Sequence, residues 1–320
     1  MTSAPGVLKR PEWLDRDMAR IEQLLLGTAG ASSHPLVAEP STHLIKAGGK
    51  RLRPLLVMLT ARAGDPGRRS TDLAAAAIEL VHLATLYHDD VIDETDVRRG
   101  VPTAHSKWGT EVAVLAGDYL FACGCSLGAD AGGEVPGILA RAIAEVCEGQ
   151  IIETGALGDP RRPVADYLGT ISLKTGALFK AACELGCATS DADARVRAAL
   201  NAYGEHLGLA FQMVDDLIDL VGDPDVTGKT PGTDLKEGVF TFAVLVACER
   251  DPGLVDRLTA GERALGSILP TLSATGGLRA AVEESRRAVS RAQEALDGLP
   301  PGEWRDGLSG LADAVLAQLA

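Results

Sequence analysis

Two apolar helical runs, one in each half of this 320-residue chain, end in the same acidic pattern. The first is Asp89-Asp90-Val91-Ile92-Asp93, after HLATLYH; the second is Asp215-Asp216-Leu217-Ile218-Asp219, after LAFQMV. On a helix the first and last aspartates of each pattern share a face, and the middle one lies three residues from the last. Like charges at these spacings cost about 0.2–0.5 kcal/mol per pair. Carboxylates in apolar surroundings need partners, so a cation is required to offset the cost in each run. Oxygen ligands without Cys or His suit Mg²⁺, which is held by a few carboxylates together with phosphate oxygens. The fold therefore has to bring two inward-facing acidic helices together, holding metal ions over a diphosphate.

Ala and Leu dominate the apolar 46% of the sequence, and aromatic residues make up only 4%. That balance favours helix, and helical periodicity recurs from residue 14 to 319. It predicts helices over 14–27, 41–48, 54–63, 73–92, 111–129, 136–154, 164–177, 178–189, 192–222, 238–250, 254–265, 276–297 and 303–319. Hairpin signals are absent. The pattern reads as one all-α domain over 1–320 with no linker. The longest Gly/Pro-rich stretch, 222–238, follows the second aspartate set, and a loop of that length in a compact domain is usually functional.

The formal charge of −13 excludes nucleic acid and anionic membrane as general partners. An anionic substrate then has to meet locally clustered cations, and the sequence supplies them. Gly48-Gly49-Lys50-Arg51-Leu52-Arg53-Pro54 joins backbone that a ligand can approach closely to guanidinium and ammonium donors. Arg98-Arg99-Gly100 follows the first aspartates, Lys174-Thr175-Gly176 sits at or near a helix break, and Lys229 lies in the long loop. His82 lies two helical turns before Asp89, and Gln212 precedes Asp216 by one turn. Six cysteines in Ala/Gly-rich stretches read as reduced core thiols of a cytoplasmic protein. No signal peptide is evident in MTSAPGVLKRPEW, and no uninterrupted apolar stretch reaches the roughly 20 residues of a membrane span.

GGKRLRP at 48–54, HDDVIDETDVRRG at 88–100 and GKTPGTDLKEG at 228–238 occur in that order. Together they resemble the trans-isoprenyl diphosphate synthases, also called polyprenyl synthetases. The resemblance implies an all-α bundle around a deep central cavity, usually homodimeric, that joins isopentenyl diphosphate to an allylic prenyl diphosphate. It implies that Asp89, Asp90, Asp93, Asp215, Asp216 and Asp219 bind Mg²⁺. Arg98, Lys174, Thr175, Gln212 and Lys229 would contact the allylic diphosphate. Gly49, Lys50, Arg53, His82 and Arg99 would bind isopentenyl diphosphate. Ionisation of the allylic C–O bond would be assisted by cations on the leaving group, and the departing diphosphate would take the proton released on coupling. The chain departs from the family's EGKxTLP at Val239 and Ala243, where lysine and proline are usual.

Ala84 and Thr85 lie one turn before Asp89, where the resemblance to farnesyl synthases would place a bulky aromatic. Small residues there imply a product of geranylgeranyl length or longer, unless Leu56, Met58 or Phe121 closes the tunnel and keeps the product short. A class I terpene cyclase would usually carry one DDxxD and no isopentenyl diphosphate pocket. A non-catalytic partner subunit would tend to lack some of the aspartates. Turnover of isopentenyl diphosphate separates these readings.

Overall fold

The computed structural model describes residues 11–65, 69–223 and 231–319. Helices dominate it. They are α1 (Glu12–Ala29), α2 (Pro35–Lys46), α3 (Leu52–Ala61), α4 (Arg69–Ile92), α5 (Ala104–Trp108), α6 (Thr110–Ala131), α7 (Val135–Gly155), α8 (Val164–Ile171), α9 (Ala177–Ala188) and α10 (Ala194–Val221). There follow α11 (Thr233–Glu237), α12 (Phe242–Arg250), α13 (Pro252–Thr259), α14 (Leu265–Ala274), α15 (Gly277–Ala295) and α16 (Glu303–Leu316).

Composition sets the roles of the long helices. In α4, Leu73 to Leu80 and then Val81, Leu83 and Ala84 are all buried, so this helix runs through the core and not over it. It packs lengthwise on α6, and α3 lies against it and against α9. In α10, Val196, Leu200, Tyr203, Leu207, Ala210, Val214 and Leu217 form one buried stripe, packed on α9 and α15. The Asp193 carboxylate accepts from Val196 N and starts this helix. The two aspartate-bearing helices are therefore the central pair of the bundle. One buried cluster surrounds α4 and α9, another surrounds α12, and Leu209 packs against both.

The structure departs from the sequence pattern in several places. α2 starts at Pro35, six residues earlier than expected; Pro40 is tolerated within it, and its carbonyl accepts the Tyr87 hydroxyl. Strands do occur: β1 (Val97–Arg98) pairs antiparallel with β2 (Val101–Pro102). Arg99 (φ 54°) and Gly100 (φ 76°) turn the chain between them with two positive φ angles. α5 was not expected, the helix read over 254–265 ends at Thr259 as α13, and α14 beyond it was not expected. The loop over 222–238 contains α11, whereas 224–230, with Lys229, lie outside the described residues. The helix break at Lys174 is a π turn, Ser172–Gly176, between α8 and α9. Finally, α6 is long and apolar enough to cross a membrane by length and composition.

All six cysteines are free. Cys183, Cys187 and Cys248 are buried as expected of core thiols, but Cys125 and Cys147 are exposed on α6 and α7.

Candidate active site

Both aspartate sets sit at helix C-termini. Asp89 and Asp90 occupy the last turn of α4 with Asp93 just beyond it, and Asp215, Asp216 and Asp219 occupy the last two turns of α10. A helix C-terminus carries partial negative charge, so carboxylates there are disfavoured, each by about 0.3–1 kcal/mol at an exposed position. The demand for cations read from spacing is thus reinforced by position.

The structure divides each set in two. The middle aspartates turn into the protein: Asp90 is 1% exposed and Asp216 is 6% exposed. Arg98 pairs with Asp90. Asp216 accepts from the Tyr167 hydroxyl on one oxygen and from Gln212 Nε2 at 2.8 Å on the other. The outer aspartates are more accessible: Asp93 and Asp215 are exposed, and Asp89 and Asp219 are half-buried. Asp219 also accepts backbone N–H bonds from Thr233 at 3.1 Å and Asp234 at 3.3 Å, which tie α11 to the end of α10.

Lys174 lies beside the first set. The π turn that carries it is wedged between two glycines. A Cβ on Gly149 of α7 would stand 2.5 Å from Lys174 N, and one on Gly208 of α10 would stand 2.7 Å from Gly176 Cα. Lys174 pairs with Glu153 of α7. Burial would lower its pKa, but Glu153, Asp89 and Asp93 raise it above the ordinary lysine value. Thr175 donates to Gln212 Oε1 at 2.7 Å, which leaves the Gln212 amide nitrogen for Asp216.

Burial and crowding by like charges push several of these carboxyls up. Asp89 rises to about 6, mainly through burial and against the pull of Lys174. Asp216 rises to about 7 through burial, against its bonds from Tyr167 and Gln212. Asp234 reaches about 9 through burial and the charges of Asp216, Asp219 and Asp215. Glu237 is raised by burial and then by both Asp93 and Asp219, so it stands between the two aspartate sets.

A second group of cations lies two to three turns before the aspartates, around Glu79 and His82 of α4. Arg51 is structural: it is buried, it enters α3 with φ 49°, and it pairs with Glu22 at 2.9 Å and with buried Glu79 at 3.2 Å. Arg53 packs over the Phe179 ring at 5.1 Å, and its buried Nε has no partner. Burial lowers its pKa to about 10, so it stays charged at neutral pH. Arg99 donates to the carbonyls of Leu44 and Gly48. Its guanidinium lies where a Cβ on Gly49 (φ 144°) would clash, at 2.8 Å from Cζ, so only glycine fits at 49. Lys50 is exposed and donates to Gln318 Oε1 at 2.7 Å. His82 is held neutral by burial and by the field of Arg53, Arg99, Arg98 and Arg51.

The sequence-predicted residues thus fall into two groups. Asp89, Asp90, Asp93, Asp215, Asp216, Asp219, Arg98, Lys174, Thr175 and Gln212 line the space between α4 and α10. Gly49, Arg53, His82 and Arg99 gather near Glu79, whereas Lys50 reaches out to Gln318. The sequence pattern gives no role to Glu79, Glu153, Tyr167 or Glu237; Asp234 is legible as part of the polar loop that follows the second aspartate set.

Known proteins share both the sequence pattern and the fold. The polyprenyl synthetase family model matches residues 34–262. The nonaprenyl diphosphate synthase of Mycobacterium tuberculosis is 37% identical over 309 residues, covering 94% of this chain and 92% of that protein. Component 2 of the heptaprenyl diphosphate synthase of Geobacillus stearothermophilus is 35% identical, covering 94% and 95%. The crystal structure of a polyprenyl synthase from Caulobacter crescentus, complexed with calcium and isoprenyl diphosphate, superposes with a TM-score of 0.92 at 33% identity over 99% of both chains. The chain belongs to the polyprenyl synthetase family: it has the all-helical isoprenoid synthase fold and is a prenyltransferase of the trans-prenyl diphosphate synthase type.

The donor set fits a metal that is shared with substrate. Among the described residues no three His, Cys, Asp or Glu side chains close into a ready cage. Open carboxylates on two facing helices suit Mg²⁺, which binds through one or two carboxylates plus substrate phosphates.

Proposed function

We propose that this prenyltransferase condenses isopentenyl diphosphate with an allylic prenyl diphosphate to give a long-chain polyprenyl diphosphate, beyond geranylgeranyl, in the cytoplasm. The observation that carries the proposal is the pairing of two anion sites at successive levels along α4. One has open aspartates, Lys174 and Arg98; the other has Arg53, Arg99, His82 and Gly49 with no aspartate among them.

Asp89, Asp93, Asp215 and Asp219 are the residues placed to hold Mg²⁺ with the allylic diphosphate, and the calcium and isoprenyl diphosphate named for the Caulobacter protein support that assignment. When bound, the metal neutralises charge on the leaving diphosphate. Lys174 supplies a fixed positive charge at the same place, held by Glu153 until substrate arrives. Thr175 and Gln212 orient that side of the pocket. Arg53 and Arg99 hold the second diphosphate, and neutral His82 offers it a hydrogen bond. The apolar walls of α4 and α10 keep water from the allylic cation.

Thr85 stands one turn below Asp89, half-buried, with its hydroxyl turned back onto His82 O at 2.7 Å. Ala84 is fully buried, as are Leu56 and Met58 on α3. Phe121 packs beside His88, ring centroids 5.5 Å apart. No bulky side chain occupies position 85 itself, and the nonaprenyl and heptaprenyl relatives support a long product.

A homodimer is the proposed assembly. The outer faces of α6 and α7 expose Val114, Leu115, Ile151 and Ile152, and contiguous exposed apolar area favours association. The name of the Geobacillus relative, component 2, favours a second reading in which a different subunit covers this face. Sedimentation of the purified chain separates the two.

The activity test is incorporation of radiolabelled isopentenyl diphosphate with dimethylallyl, geranyl, farnesyl or geranylgeranyl diphosphate, with and without a chelator. Incorporation that depends on Mg²⁺ and on an allylic starter is expected. A folded dimer that releases diphosphate from the allylic substrate without incorporating label would point to a cyclase.

A further inference from the structure

Tyr167 lies on α8, outside the sequence motifs, with its ring sealed in the cluster around α12 and 3% exposed. Its hydroxyl donates to Asp216 Oδ2, 49 residues further along the chain. Gln212 fills the other Asp216 oxygen, and Thr175 fixes Gln212. Thr175, Gln212, Asp216 and Tyr167 therefore make one line of hydrogen bonds across the π turn, α10 and α8. Phe242 of α12 lies edge-on to the ring, 6.4 Å away between centroids.

A buried phenol needs a partner for its hydroxyl, and a buried carboxylate needs donors. Here each answers the other. The outcome is geometric: Asp216 is pinned on both oxygens, so the last two turns of α10 cannot rotate about the helix axis. Asp215 precedes the pinned residue and Asp219 follows it by three, so their directions are set with it. In the first set the same task falls to Arg98, a cation, which pairs with Asp90. The second set uses two neutral donors where the first uses a cation.

We infer that Tyr167 is a positioning residue for the second aspartate set: acting through Asp216, it aims Asp215 and Asp219 at the metal-bearing diphosphate. This rests on the reading of that space as the allylic diphosphate site.

The test is calorimetric. The full chain is titrated with a non-reactive thiolo analogue of farnesyl diphosphate across a range of Mg²⁺ concentrations, and separately with isopentenyl diphosphate. Tyr167→Phe removes one oxygen, and a thermal melt checks that the variant folds. Phe242→Leu serves as control, because it removes the ring contact and keeps the hydroxyl. Tyr167→Phe is expected to weaken the analogue about tenfold, the loss of one hydrogen bond to a charged group, and to raise the Mg²⁺ needed for half-saturation. Its affinity for isopentenyl diphosphate should stay within about twofold. Phe242→Leu should lower Tm and leave analogue binding unchanged. Unchanged analogue binding by Tyr167→Phe, or equal weakening by both variants, overturns the positioning role. Failure of the unmodified protein to bind the analogue with Mg²⁺ overturns instead the diphosphate reading beneath it.

Discussion

Arg51 and Arg53 stand two positions apart in one basic run, yet they do different work. Arg51 is tied to Glu22 and Glu79, and Arg53 keeps an unpartnered Nε beside the second anion site. Removing Arg51 leaves Glu79 buried without its cation, which costs about 3–5 kcal/mol. Arg51→Ala should therefore show that loss in urea unfolding, whereas Arg53→Ala should mainly raise KM for isopentenyl diphosphate. The aspartates separate in the same way. Asp89→Ala and Asp215→Ala should each lower kcat by about 10²–10³, the scale of losing a group that stabilises developing charge. A steady-state assay with saturating Mg²⁺ checks this. The six aspartates and their demand for cations were legible in the sequence, because spacing and apolar flanks carry that information. The division into open outer and buried middle residues was not. It depends on Arg98 and Tyr167, which reach Asp90 and Asp216 only through the fold.

At the level of elements, long periodic helices such as α4 and α10 were readable because burial imposes the period that the sequence shows. Short elements were not. β1 and β2 have two residues each, and their turn puts Arg99 at positive φ, a conformation for which the sequence offers no favoured residue at that position. The π turn at Lys174 was visible only as a break, since its cause lies in the glycines of α7 and α10. Gly149→Ala tests that cause. Its Cβ would meet Lys174 backbone, so overpacking of about 1–3 kcal/mol is expected, with a raised KM for the allylic substrate and little change for isopentenyl diphosphate. Thermal melts and two-substrate kinetics read the two effects separately. On α4, Thr85→Phe should shorten the product while leaving the first condensation intact.

At the scale of the molecule, an acidic chain has gathered its carboxylates where a metal-bearing ligand is needed to complete them. Asp89 and Asp216 have folded pKa values near 6 and 7, above the ordinary 3.8. The stability they contribute to the ligand-free protein is present below about pH 4 and is lost as pH rises through those folded values. Bound cation reverses the preference by favouring the ionised forms. The rise in Tm produced by Mg²⁺ with inorganic diphosphate should therefore grow from about pH 5.5 to about pH 7.5. A rise that shrinks over that range would contradict the metal assignment.

Two anion sites at successive levels along α4 build a polyprenyl chain past geranylgeranyl length. The most direct measurement is the size of the product made from farnesyl diphosphate and excess isopentenyl diphosphate, resolved by chromatography after dephosphorylation. A ladder extending beyond geranylgeraniol, cut short by Thr85→Phe, is the predicted result. A product that stops at geranylgeraniol, or one that Thr85→Phe leaves unchanged, would contradict the account.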